Sequence, residues 1–234
     1  MGKLLQNWIT CPETIFCPYI GIISATISSI MHKDILSVEQ IALLPLVKQF
    51  SADYYLVGGT ALALQYGHRR SLDFDLFTTK PFETQPIIRT IRKNHSINQI
   101  HIDELNQLTL VANHIKMTFY RYEYPIIHNE KLDDIITMPD DLSIAAMKAF
   151  ALGRRAKWKD YVDLYFVFKR HSMREVIDRA HEFYGEGEFS DKLFRGQLDF
   201  HQDINYIEPV DWMPGFETSQ EEILSNLSQI SLGL

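Results

Sequence analysis

The 234-residue sequence predicts an α+β fold in which a mixed sheet with helices precedes a helical C-terminal subdomain. Three observations carry this. Every β-rich run, from Asp53–Val57 to Ile115–Tyr122, lies before Pro125 and is interleaved with helical runs. After Pro139 the periodicity is helical for most of the remaining chain. With 46% apolar and 23% charged residues, the composition is that of a chain able to bury a real core. The predicted divisions are an N-terminal appendage over 1–30, an α/β domain over 31–138 and a helical subdomain over 139–234.

The appendage is apolar from Phe16 to Met31, but Pro18 interrupts it and it is shorter than the roughly 20 residues a spanning helix needs. Cys11 and Cys17 form neither a disulfide framework nor a four-ligand zinc site, which suits two free thiols in a reducing cytoplasm. Cytoplasmic location and no membrane partner are the expectation.

At Ser37 the hydroxyl can cap a helix with Gln40 three places on, and Ile41, Leu44 and Val47 supply its apolar stripe, with a kink at Pro45. Asp53–Val57 then reads as a strand stopping at Gly58-Gly59, and Thr60–Tyr66 as a short helix ended by Gly67. A polar loop, His68 to Ser71, leads to the strand Leu72–Phe77, with Leu72, Phe74 and Leu76 turned to the core. A helix follows over Glu83–Lys93, then strands over Ile97–Ile102, Gln107–Val111 and Ile115–Tyr122. The last alternates Ile115, Met117 and Phe119 with Lys116, Thr118 and Tyr120.

Asp140 and Asp141 stand at the positive end of a helix running to Leu152. Further helices are predicted over Lys157–Lys169 and Ser172–Tyr184, then an irregular stretch from Tyr206 to Pro214 and a short helix from Ser219.

The formal charge of −7 gives no bulk attraction to nucleic acid, so any such contact needs a local basic patch. Trp158 among Arg154, Arg155, Lys157 and Lys159 is one candidate, with a solvated helix start as the plainer alternative. The histidines show no metal-ligand spacing.

Chemistry concentrates between Gly58 and Asp75. A glycine pair between strand and helix lets backbone N–H groups approach a phosphate, and Thr60 adds a hydroxyl there. Asp73 and Asp75, one residue apart on a strand, share a face about 7 Å apart at Cα and could hold magnesium. Otherwise their repulsion needs a basic group, for which Arg69 and Arg70 are at hand.

The run Gly58-Gly59-Thr60-Ala61-Leu62, a short helix, then Arg69-Arg70-Ser71-Leu72-Asp73-Phe74-Asp75-Leu76-Phe77 resembles the AbiEii/AbiGii toxin family of polymerase-beta-like nucleotidyltransferases. A second stretch, Met147-Lys148-Ala149, then Arg155 and Lys159-Asp160-Tyr161-Val162-Asp163-Leu164, resembles the same family's C-terminal motif. The resemblance implies a nucleotidyltransferase-like sheet. It implies that Asp73 and Asp75 hold Mg²⁺ on an NTP, while Gly58, Gly59 and Thr60, with Arg70 and Ser71, cradle its phosphates. Lys148 would reach in from the helical half, as a point charge on the phosphates or a proton donor to the leaving pyrophosphate, with Arg155 and Lys159 adding positive charge nearby. Asp160 and Asp163 share a helix face, so one of them faces the cleft or Asp160 pairs with a basic residue.

Superfamily members often carry a third carboxylate on a later strand. Here that strand offers Lys116 and Thr118, and Asp103, Glu104 and Glu123 qualify only in another register. The implied function is Mg²⁺-dependent transfer of an NMP to a hydroxyl of a tRNA or protein, by a toxin that an antitoxin partner neutralises. The alternatives are a nucleotide-binding regulator without transfer activity and a phosphotransferase using the γ-phosphate.

Overall fold

A computed structural model describes residues 31–233; the predicted N-terminal appendage and its two cysteines lie outside the described residues. A 3-10 turn, Lys33–Ile35, leads into α1 (Val38–Gln49), whose start is the predicted capping box between Ser37 and Gln40. The chain continues through β1 (Tyr55–Val57), α2 (Gly58–Tyr66), β2 (Phe74–Thr78), α3 (Thr84–Arg92), β3 (Ile97–Glu104), β4 (Gln107–Ala112) and β5 (Ile115–Arg121). A small hairpin of β6 (Glu130–Leu132) and β7 (Ile136–Met138) precedes the helices α4 (Asp141–Leu152), α5 (Trp158–Val167), α6 (Met173–Tyr184), α7 (Asp191–Asp199) and α8 (Gln220–Leu232).

The sheet runs β1-β2-β5-β4-β3, with every pair antiparallel except β2 and β5, which run parallel. Alternation sorts its faces. Phe74, Leu76, Leu108, Leu110, Met117 and Phe119 are all fully buried on one side. Asp75, Lys116 and Thr118 are partly exposed on the other. One cluster of buried side chains runs from Leu43 and Leu46 through these sheet residues to Ala145, Leu152 and Tyr161 in the helical half. The α+β architecture is thus as predicted, with both halves sharing a core.

Several local expectations are corrected. On α1, Ile41 is 51% exposed, and Gln40 is buried beside Leu43, Leu46 and Val47. The buried amide is satisfied because Gln40 Nε2 donates to the Ser71 carbonyl at 2.8 Å. Leu72 is 54% exposed, since β2 begins two residues later than the alternation suggested. The loop after Gly67 is not a solvated one: His68 and Arg69 are buried. The β6–β7 hairpin and α7 were not foreseen, and the last helix is 13 residues long.

Candidate functional site

In register, Val57 at the end of β1 faces Asp75, so the turn into α2 opens beside that carboxylate. Gly58 has φ +73°, and a Cβ there would sit 2.5 Å from Asp75 Oδ2. A Cβ on Gly59 would meet Arg69 Nη2 at 2.6 Å and Ser71 Oγ at 2.9 Å. Both glycines therefore make room for side chains of the site, whatever else their backbone N–H groups do. Thr60 is 1% exposed, and its hydroxyl donates to the carbonyls of Ser71 and Asp73. It fixes the approach to β2 rather than presenting a free hydroxyl to a phosphate.

Asp73 and Asp75 lie on the open face of the sheet, where Asp75 pairs in register with Thr118. Lys116 Nζ stands 2.5 Å from Asp73 Oδ2. Burial and the neighbouring Asp73 charge raise the Asp75 carboxyl above its ordinary range, against the pull of Lys116, Thr118 and Arg155. Burial alone would make Lys116 less basic; its bond to Asp73 and the two carboxylate charges outweigh that and raise it.

Neither arginine expected to neutralise this pair does so. Arg70 reaches outward, its Nε 3.8 Å from Asp211 and its Nη1 3.4 Å from the Asp34 carbonyl. Arg69 turns to α5, where Nε and Nη2 each lie 2.7 Å from Asp163 in a bidentate pair. His68 Nε2 lies 2.7 Å from Asp163 Oδ1, and Lys148 Nζ bridges Asp163 Oδ2 and Asp160 Oδ1 at 2.7 Å each. Arg155 Nε is 3.5 Å from Asp160 Oδ2.

Asp163 is therefore the hub of a buried network. Burial would raise its carboxyl, but Arg69 and Lys148, with hydrogen bonds from His68 and Arg69, hold it well below the usual carboxylate range. Lys148 is likewise kept more basic than usual, since Asp160 and Asp163 outweigh its burial. His68 goes the other way: burial, with Arg69 and Lys148, lowers it despite Asp163. Of the two alternatives for Asp160, the structure displays pairing, with Lys148 and Arg155.

Among the described residues no further acid joins Asp73 and Asp75. Asp103 and Glu104 are on β3, the far edge of the sheet, where Asp103 accepts from Thr84. Glu123 lies past β5, beside Arg121 and largely exposed. Among the described residues no group of three His, Cys, Asp or Glu is placed to hold a metal ion.

The stretch after α7, read only as irregular, contributes to the site. Asn205 exchanges backbone bonds with Ala156 and Trp158, at 2.7 and 3.0 Å. Further on, Arg70 N donates to the Asp211 carbonyl at 2.7 Å and Met213 N to that of His68 at 3.2 Å. Glu208, between these ties, receives Lys157 at 3.0 Å and Lys159 at 3.2 Å. The Lys157 hydrogen bond, against some burial, leads the effects that push Glu208 down to about 2. Trp158 packs against Tyr206 with ring centres 5.3 Å apart and Arg154 covers Phe150 at 3.7 Å, so of the four basic residues near Trp158 only Lys157 and Lys159 share a partner.

Sequence reasoning missed Lys116 as the counter-ion of Asp73, because the contact depends on the parallel pairing of β2 with β5. His68 and Glu208 carry no local signal. Asp163 had one: a carboxylate on a helix whose residues from Trp158 to Val167, Lys159 excepted, are all buried must find a cation.

Residues 43–138 match the model of the family described as "Nucleotidyl transferase AbiEii toxin, Type IV TA system". The glycine and aspartate motif lies within that stretch, and the Lys148–Asp163 motif lies beyond it. An uncharacterized protein of Aquifex aeolicus is 42% identical over 123 residues, covering 51% of this chain and 59% of that one. The chain thus matches under two thirds of that relative's length. The nucleotidyltransferase toxin MenT4 of Mycobacterium tuberculosis superposes with a TM-score of 0.52 at 13% identity, over 84% of this chain and 83% of that one. That likeness gives the fold.

Proposed function

Taking as premise that residues 43–138 match the AbiEii nucleotidyl transferase family on a nucleotidyltransferase fold, we propose that the protein transfers an NMP from an NTP to an acceptor hydroxyl and acts as a toxin. The acceptor would be an RNA end, such as that of a tRNA, or a protein, and an antitoxin would neutralise the toxin in the cytoplasm. The observation that carries this reading is the pair Asp73 and Asp75 on the open sheet face, Asp75 raised by burial and by its neighbour, against the Gly58 turn.

The donor set fits Mg²⁺. Two hard carboxylate oxygens in mutual repulsion gain from a small dication, and Lys116 already places a positive charge on one of them. Bound by Asp73 and Asp75, the ion would offset negative charge on the triphosphate and on the departing pyrophosphate. The acceptor oxygen bonds to the α-phosphorus, the bond to the β-phosphate oxygen breaks, and the hydroxyl proton passes to solvent. Backbone N–H groups after Gly58 and the N-terminus of α2 receive phosphate oxygens. Lys148, gripped by two carboxylates and more basic than usual, is a fixed positive charge and a poor proton donor. Arg155, exposed, paired with Asp160 at 3.5 Å and within electrostatic range of Asp75, would turn from that pair to the phosphates.

One observation favours a second reading, a nucleotide-binding regulator that does not transfer: the described residues place no third acid beside Asp73 and Asp75. Incubation with α- and γ-labelled NTPs, total RNA and protein separates the two. Label from the α-position on an acceptor is the expected result. Label from the γ-position would make the protein a phosphotransferase, and no label with retained NTP binding would make it a regulator. Asp73→Asn and Asp75→Asn should each lower transfer by about 10²-fold or more, the scale of losing a preorganised electrostatic group; full activity in either would sink the metal assignment.

A further inference from the structure

Lys157 and Lys159 are two residues apart at the start of α5, a spacing at which helical side chains do not face each other. They nevertheless converge on one carboxylate, Lys157 on Oε1 of Glu208 and Lys159 on Oε2. Lys157 makes this possible by standing outside the helix in extended backbone, φ −84° and ψ 129°. Glu208 is brought from some fifty residues away by the segment tied to Ala156 and Trp158 at one end and to His68 and Arg70 at the other. Beside the three charges lies a cavity of about 190 Å³, lined by Lys157, Trp158, Lys159, Asn205, Ile207 and Glu208. At about 30 Å³ per water, it has room for a phosphate-sized group and its hydration.

This cavity lies within electrostatic range of the carboxylate site. The charge of Glu208 acts on both Lys116, the partner of Asp73, and Arg69, the partner of Asp163. Asp160, one residue after Lys159, belongs to the buried network. All three side chains of the lysine–glutamate cluster are partly exposed, at 43%, 29% and 45%, so an anion from solution can compete for them.

We propose that Lys157 and Lys159 form a phosphate-binding subsite that Glu208 fills in the free protein, as an internal stand-in for the anion. The ligand is a phosphate group, carried by the NTP or by the backbone of an RNA acceptor, and in that assignment of source the subsite rests on the nucleotidyl-transfer reading. Binding exchanges one anion for another, so displaced Glu208 is left in solvent beside the pocket while the lysines stay paired.

The test is calorimetric titration of the full chain with tripolyphosphate in the absence of Mg²⁺, a measurement that makes no use of Asp73 or Asp75. Glu208→Gln keeps the shape and removes the competing charge. It should bind tripolyphosphate about three- to tenfold tighter, the scale of losing one or two solvent-exposed ion pairs. Adding Lys157→Gln and Lys159→Gln should abolish the gain. Unchanged or weaker binding by Glu208→Gln, or a gain that survives without the lysines, overturns the proposal. Repeating the titration with Mg–NTP and with a single-stranded RNA oligonucleotide tells the sources apart by which one shows the gain. Failure of the transfer reading shows elsewhere, as Asp75→Asn with unaltered Mg–NTP binding and transfer.

Discussion

Asp163 accepts from a guanidinium, an ammonium and an imidazole while itself fully buried, and the loss of its charge would leave Arg69 and Lys148 buried and short of a counter-charge. Removing one partner of a buried ion pair typically costs about 3–5 kcal/mol. Asp163→Asn should therefore lower stability by that amount in denaturant unfolding, with a variant near wild-type stability arguing against the network. His68 gives the same network a pH signature. Its folded value lies below the ordinary 6.5, so the unfolded chain binds a proton there first. Stability from this residue is full above the ordinary histidine value and is lost as pH falls towards the lowered one. Asp163, being depressed, keeps its contribution until far stronger acid. The melting-temperature margin of wild type over His68→Asn should accordingly narrow between pH 7 and pH 5; a constant margin would mean that His68 titrates normally.

At the scale of elements, the β1–α2 turn decides the geometry around Asp75. An alanine at Gly58 would need a left-handed backbone, at about 1–2 kcal/mol, and would press its methyl on the carboxylate. Gly58→Ala should lose transfer activity more than stability, which paired turnover and melting measurements would reveal. This turn was legible in the sequence because its cause is local: strand, glycine pair, helix and an alternating Asp-Phe-Asp. The same locality explains why the capping boxes at Ser37 and Ser172 could be read, the first through Gln40 and the second as a helix start. Periodicity failed where a polar side chain faces inward, as Gln40 does to hold the Ser71 carbonyl, since an apolar-stripe count assigns that face to Ile41. It failed again in the loop of His68 and Arg69, whose burial is set by Asp163 almost a hundred residues later.

For the whole molecule, the mixed-sheet half supplies the two carboxylates and the Lys116 counter-charge, and the helical half adds Arg155 within electrostatic range of Asp75. The order of elements announced that arrangement. The ion pairs did not follow from it, because Arg69, Lys116 and Lys148 each had several acids within plausible reach and only tertiary packing selects among them.

The tie between residues 211–213 and residues 68–70 also has a meaning in time. Chains emerge from the ribosome N-terminus first, and contacts of such long sequence separation form late. The glycine turn and both aspartates are made early. The segment that holds the backbone of His68 and Arg70 appears only after more than a hundred further residues. A nascent chain would therefore carry the carboxylates without a fixed frame around them, and a prematurely released fragment would be idle. For a protein read as a toxin, late closure of its own frame would confine activity to chains already made past Met213.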